Sequence, residues 1–282
     1  MRIEPPPLDY DYAITRISQF LKDVLIKAEA KGFVMGLSGG VDSSVTLTLA
    51  VHALGKDKVK VLIMPDRETT PTEDVNDAIS LAENLGVEYI VIDIADIVDA
   101  YAKYVPFFDK EHKIATGNLR ARIRMSILYY YANKHGLLVM GTGDKSEILL
   151  GYFTKYGDGG VDVLPLGDVY KTQVRELGRR LGVPEKILTK PSSPRLWPGQ
   201  LAEEELGVKY EVIDAILYRY VDLRMNIDDI ANDLGIDRDI VASIVKRVHA
   251  NEHKRLFPII PRVSTMAITH DWRMPWYSRP VS

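Results

Sequence analysis

Four short apolar runs recur through the first half of the chain: "FVMGL" at 33–37, "VKVLIM" at 59–64, "VEYIVIDI" at 87–94 and "LLVMG" at 137–141. They are rich in Val, Ile and Leu and do not alternate with polar residues, which is how strands covered on both faces of a parallel sheet read. The segments 43–54, 71–85 and 116–135 between them carry helical periodicity. A first helix is predicted over 9–31 through Ile14, Ile17, Phe20, Leu21, Val24 and Leu25. Strand, helix, strand in this order demands right-handed crossovers and yields an α/β fold with an open, mostly parallel, doubly wound sheet. Ligands of such sheets sit beyond the carboxyl ends of the strands.

After Pro184 the pattern changes. The segment "TKPSSPRLWPGQ" at 189–200, with Pro191, Pro194 and Pro198, reads as a long loop, and only helical patterns follow through about 255. This predicts one α/β domain over 1–258 that includes a helical region at 201–255, then an irregular tail over 259–282. Loops 65–74 and 189–204 are the expected closures over a bound substrate.

Several function classes drop out early. The chain has no cysteine, which excludes thiolate nucleophiles, disulfides and Cys-ligated metals. Its net charge of -3 gives no general field for nucleic acid. Residues 225–249 have the cadence of a helix-turn-helix, with Ile230, Leu234, Ile240, Ile244 and Val248 as packing positions and Gly235 at the turn. Asp237 and Asp239 would open the recognition helix, however, and that charge is wrong for DNA. No apolar stretch approaches the roughly 18–20 residues of a membrane span, and the N-terminus has no apolar export core, so a cytoplasmic protein is expected.

The first apolar run leads through Gly36 and Leu37 into "SGGVDSS" at 38–44. Ser38 to Asp42 form a tight strand-to-helix turn in which Gly39 and Gly40 let backbone approach an anion. Free N–H groups at the helix start, with the hydroxyls of Ser38, Ser43 and Ser44, would face it. A carboxylate in such a nest is repelled unless a cation intervenes, so Asp42 reads as a Mg²⁺ ligand bridging to phosphate oxygens. The loop lacks the lysine with which the Walker loop serves chemistry at the γ-phosphoryl group. A cradle without it suits a reaction in which the β- and γ-phosphates leave together as pyrophosphate.

In this the motif resembles that of the PP-loop ATP pyrophosphatases, which activate a substrate oxygen by transferring AMP to it. "GNLRARIRM" (117–125), "GTGDKSE" (141–147), "GYFTKYGDGGVDVLPLGDVYKTQ" (151–173) and "NEHKR" (251–255) follow in the order found in ammonia-dependent NAD synthetases, a resemblance that covers about 10–260. It implies an adenine nucleotide α-hydrolase-like, Rossmann-like fold and ATP-dependent amidation of deamido-NAD. It also implies ATP contacts from Gly36 to Ser44, Val41 included, and from Thr142, Lys171 and Ser192. Mg²⁺ would sit on Asp42 and Glu147, and deamido-NAD on Arg122, Lys155, Asp162, His253 and Lys254. Lys171 would supply positive charge to the departing pyrophosphate, and Asp162 is the candidate base for ammonium. Tyr152 and Phe153 are placed either to stack on a ring or to fill the core.

The family forms homodimers, and the same is expected here. With no cysteine nucleophile and no length for a glutaminase domain, free ammonia is the expected nitrogen donor. Two positions depart from the commoner pattern: Val41 stands where many NAD synthetases have Gln, and Gly143 where they have Asp. The second leaves the ammonia end open unless Asp144 substitutes. GMP synthetases share the Val41 pattern but give no reason for "FTKYGDGG" or "NEHKR". A tRNA-modifying relative should show a basic domain or catalytic cysteines, and this chain has neither.

Overall fold

The computed structural model describes residues 5–256 and 258–266. The predicted tail falls within them only as far as 266. Four parallel strands, β1 (Phe33–Gly36), β2 (Val59–Ile63), β3 (Tyr89–Val91) and β4 (Leu138–Val139), form one sheet in the order β3-β2-β1-β4. The sheet is thus open and doubly wound, as predicted. Side chains alternate between its faces. Phe33 and Met35 of β1 with Val59, Val61 and Ile63 of β2 join a core under helices α1 (Tyr10–Ala28), α2 (Val41–Leu54) and α3 (Thr72–Leu85). Val34 and Leu62 face the other way, toward α4 (Ala95–Tyr104) and α5 (Lys113–His135). Burying each such side chain contributes about 1.5–3 kcal/mol, which is why the strands read as unbroken apolar runs.

Several boundaries differ from prediction. Helix α2 starts at Val41 and not at 43, which puts Asp42 in its first turn. The run 87–94 holds only the three-residue edge strand β3, with Ile90 and Val91 half-exposed, because an edge strand lacks a covering neighbour. Helix α4 follows it without having been foreseen. At the other edge β4 is short, and Val163 extends it through a parallel bridge to Met140.

The remaining helices are α6 (Lys145–Leu150), α7 (Lys171–Arg180), α8 (Glu185–Leu188), α9 (Ala202–Leu206), α10 (Tyr210–Leu217), α11 (Ile227–Leu234), α12 (Arg238–Ala250) and α13 (Glu252–Arg255). Helix α7 packs on α2 beside the sheet, while α10, α11 and α12 share a second core with α6. The helix-turn-helix cadence therefore belongs to a packed pair, α11 and α12. Its buried positions include Val241, whereas the predicted Ile240 is half-exposed. No described helix is long and apolar enough to cross a membrane.

Candidate active site

The carboxyl ends of β1, β2 and β4 open into a cavity of ≈ 650 Å³. At its head is the loop 38–44. Ser38 and Ser43 close the turn on themselves: the two Oγ atoms lie 3.0 Å apart, Ser38 N donates to Ser43 Oγ at 3.2 Å, and Ser43 Oγ donates to Gly40 O at 3.2 Å. The N-cap of α2, Gly40, has no side chain to satisfy the first N–H groups of the helix, so they point at the cavity with the positive end of the helix dipole. Gly39 is obligatory. Its φ is 76°, and a Cβ there would lie 2.1 Å from Asp74 O on α3.

Below the loop three helix starts converge. Asp42 comes from the first turn of α2, Asp144 and Glu147 from the start of α6, and Lys171 is the first residue of α7. Asp144 caps α6 by accepting from Glu147 N at 2.8 Å, while Glu147 Oε2 accepts from Asp144 N at 3.3 Å, a reciprocal capping box. Lys171 Nζ lies 2.7 Å from Asp42 Oδ2, 2.8 Å from Asp144 Oδ2 and 2.9 Å from Glu147 Oε1. Burial pulls the Lys171 ammonium down, but Asp144, Asp42 and Glu147 outweigh it and hold it well above its ordinary value. Burial pushes Asp144 up to about 7 and raises Glu147 well above the usual carboxylate range.

One cation against three carboxylates leaves an excess of negative charge in a poorly solvated place. Carboxylate oxygens of Asp42, Asp144 and Glu147 lie within 4.8 Å of one another. Asp42 Oδ1 is buried without a hydrogen-bond partner among the described residues. An all-oxygen carboxylate set with an orphaned oxygen fits a hard divalent cation such as Mg²⁺.

Thr142, Ser192, Glu147 and the loop residues other than Gly39 and Ser44 line the cavity together, and the Ser192 hydroxyl is buried without a described partner. Lys171 is not at the surface of the cavity. Its side chain is fully buried against the carboxylates of Asp42, Asp144 and Glu147.

The residues expected on deamido-NAD divide. Lys254 reaches the cavity wall, where its Nζ donates to Gly151 O at 2.6 Å and Phe153 O at 2.8 Å. Arg255 beside it donates to Ile148 O and Leu149 O, so "NEHKR" closes the C-terminal end of α6. Arg122, Lys155 and His253 form a chain outside the cavity: Arg122 donates to Lys155 O at 3.3–3.4 Å and Lys155 Nζ to His253 O at 2.8 Å. Tyr152 and Phe153 both line the cavity.

Asp162 stands apart. Its Oδ2 accepts from Val139 N at 2.7 Å and its Oδ1 from Tyr129 Oη at 3.0 Å, and it does not line the cavity. Both of its oxygens are thus engaged by donors at the sheet edge. The carboxylate that does line the cavity from the same loop is Asp158, which accepts from Thr154 N at 2.8 Å.

Arg120 and Arg124 turn inward from α5. Arg120 pairs with the buried Asp66, and Arg124 donates to Met64 O at 2.9 Å. The two expected closures meet over the cavity, where Lys190 and Arg195 from the proline-rich loop each lie 2.8 Å from Asp74, the last residue of the other. Asp158, Arg124 and Lys190 are not singled out as site residues from sequence, and Asp144 only as a substitute at the ammonia end, not as a member of the carboxylate centre. Asp144 alone carried a readable signal, the D-x-x-E spacing of a helix start.

The sequence profile described as NAD synthase matches residues 13–258. An NH3-dependent NAD(+) synthetase of Staphylothermus marinus is 52% identical over 97% of this chain and 95% of its own. Among solved structures, an NMN synthetase from Francisella tularensis superposes with a TM-score of 0.79 at 34% identity, over 90% of this chain and 99% of its own. The NH3-dependent NAD synthetase from Campylobacter jejuni, solved with nitrate, has a TM-score of 0.75 at 30% identity, over 90% of this chain and all of its own.

Proposed function

The chain belongs to the NAD synthase family, and from that premise we propose how its site performs ATP-dependent amidation of deamido-NAD with ammonia. The observation that carries the reading is the meeting of an uncapped α2 N-terminus with the Asp42–Asp144–Glu147–Lys171 centre at the head of one cavity. ATP lies with its β- and γ-phosphates on the loop 38–44 and its α-phosphate toward Thr142 and Ser192. The nicotinate carboxylate attacks the α-phosphorus, the bond to the β-phosphate oxygen breaks, and pyrophosphate leaves. Ammonia then attacks the adenylated carboxyl carbon and expels AMP, its surplus proton passing to Asp158 and on to solvent.

Asp42, Asp144 and Glu147 would hold Mg²⁺, which when bound neutralises charge on the departing pyrophosphate. Lys171 keeps the three carboxylates together and compensates part of their charge. No side chain acts as a nucleophile; fixed donors and orientation lower the barrier. Lys254 and the Arg122–Lys155–His253 rim orient the dinucleotide. Because the rim and Asp162 lie outside the cavity, the far nucleotide extends over a face completed by a second copy of the chain.

The likeness to an NMN synthetase favours a second substrate, the deamido mononucleotide. The purified protein is therefore given Mg-ATP, ammonium and either deamido-NAD, nicotinate mononucleotide or xanthosine monophosphate, and AMP and pyrophosphate are followed. Turnover with deamido-NAD is expected. Preference for the mononucleotide would move the assignment to the second reading, and release of ADP and phosphate would sink both.

A further inference from the structure

Helix α10 lies in the helical region away from the sheet, yet two residues one turn apart on it face the carboxylate–lysine centre. Tyr210 is fully buried with its ring centre 5.3 Å from Lys171 Nζ. Asp214 is fully buried too, and among the described residues it makes no ion pair and lines no part of the cavity. Its Oδ1 accepts from Ser146 Oγ at 2.6 Å, and its Oδ2 accepts from both Thr172 N and Thr172 Oγ1 at 2.8 Å. Ser146 Oγ in turn accepts from Lys171 N at 2.9 Å. One carboxylate therefore joins the first turn of α6, which carries Asp144 and Glu147, to the first turn of α7, which carries Lys171.

The N–H groups of Lys171 and Thr172 open a helix and have no partner within it, so Asp214 and Ser146 act as a cap supplied from elsewhere in the chain. A neutral acceptor would satisfy the same N–H groups without burying a charge, so packing alone gives no reason for a carboxylate here. Ser146 also sits between the two α6 carboxylates, where any shift of its backbone moves both.

We propose that Asp214 is a positioning residue for the metal centre: through Ser146 and Thr172 it fixes how far Lys171 stands from Asp144 and Glu147, and with that the capacity of the centre to take a divalent cation. The proposal rests on the metal reading of the preceding section. Partners that orient metal ligands typically change affinity or activity 10–100-fold when removed.

The test is a calorimetric titration of Mg²⁺ into the full-length protein saturated with a non-hydrolysable ATP analogue, together with steady-state kinetics and thermal melting. The variants are Asp214→Asn, Ser146→Ala, Thr172→Val and Thr172→Ser. Asp214→Asn and Ser146→Ala should raise the Mg²⁺ dissociation constant at least tenfold and lower kcat in step, with KM for deamido-NAD within twofold. Thr172→Val should weaken Mg²⁺ several-fold, and Thr172→Ser, which keeps the hydroxyl, should bind it as the unmodified protein does. Variants that melt earlier yet bind Mg²⁺ within twofold of the unmodified protein would reduce Asp214 to a structural link and overturn the proposal, as would absence of Mg²⁺ binding to the unmodified protein. If Asp214→Asn does not fold, Ser146→Ala and the Thr172 pair decide. An unmodified protein that binds Mg²⁺ but makes no pyrophosphate from deamido-NAD would count against the proposed reaction and leave the Mg²⁺ series to judge Asp214 on its own.

Discussion

Around Asp42 each functional group is fixed by the start of a helix: α2 presents its bare N–H groups, α6 its reciprocal cap, and α7 a lysine with no exposed surface. Around Arg122 the groups are held by single contacts to carbonyls, at 3.3–3.4 Å for the guanidinium and 2.8 Å for Lys155, at the edge of solvent. The phosphate end is preorganised by secondary structure, so replacing one group there disturbs several. The proposed dinucleotide rim is loosely tied and gives up one contact at a time. Preorganised donors act where charge develops in the transition state, whereas adaptable contacts mainly set binding.

Four experiments would break or sharpen this contrast. The largest effect is expected from Asp42→Ala, which should slow pyrophosphate release about a thousandfold, or ~4 kcal/mol, without unfolding the protein; turnover within tenfold of the original would mean that the metal role is misassigned. Next, Lys171→Met leaves three carboxylates without their shared cation and should cost about 3 kcal/mol of stability in metal-free urea denaturation, part of it recovered with Mg²⁺. Full stability without Mg²⁺ would show the centre to be less coupled than its distances imply. At the rim, Arg122→Ala should raise KM for deamido-NAD about tenfold, roughly 1.4 kcal/mol, while kcat and KM for ATP stay within twofold. A fall in kcat instead would place Arg122 with the preorganised group.

The smallest effect is a pH dependence. Asp144 titrates up at about 7 and Glu147 is raised as well, both through burial. The folded metal-free protein therefore binds protons that the unfolded chain releases, and its stability should fall as pH rises from about 4 toward 7. Bound metal needs these groups ionised, so the Mg²⁺ concentration for half-maximal rate should rise about three- to tenfold as pH drops from 8 to 6. A flat dependence would remove Asp144 from the metal set.

The sheet was legible because buried parallel strands leave unbroken apolar runs, and the loop 38–44 because glycines, hydroxyls and a carboxylate after such a run have few other uses. Edges were harder: the run 87–94 fuses a three-residue strand with the approach to α4, and apolar continuity hides where one ends. Asp144 could be read as a helix cap, but its second role depends on Lys171, brought to it only by tertiary packing. The same holds for Asp214, whose partners Ser146 and Thr172 lie 68 and 42 residues away. The loop string 153–162 carries two acids and does not tell which of them lines the cavity; in the structure Asp158 does and Asp162 does not.

Gly39 carries the contrast into descent. Its positive φ excludes most side chains, and the carbonyl of Asp74 fills the space that any of them would need. A lineage of this chain can alter the rim one residue at a time and be selected at each step. Position 39 can change only in company with α3, so the phosphate end should drift as a block or not at all.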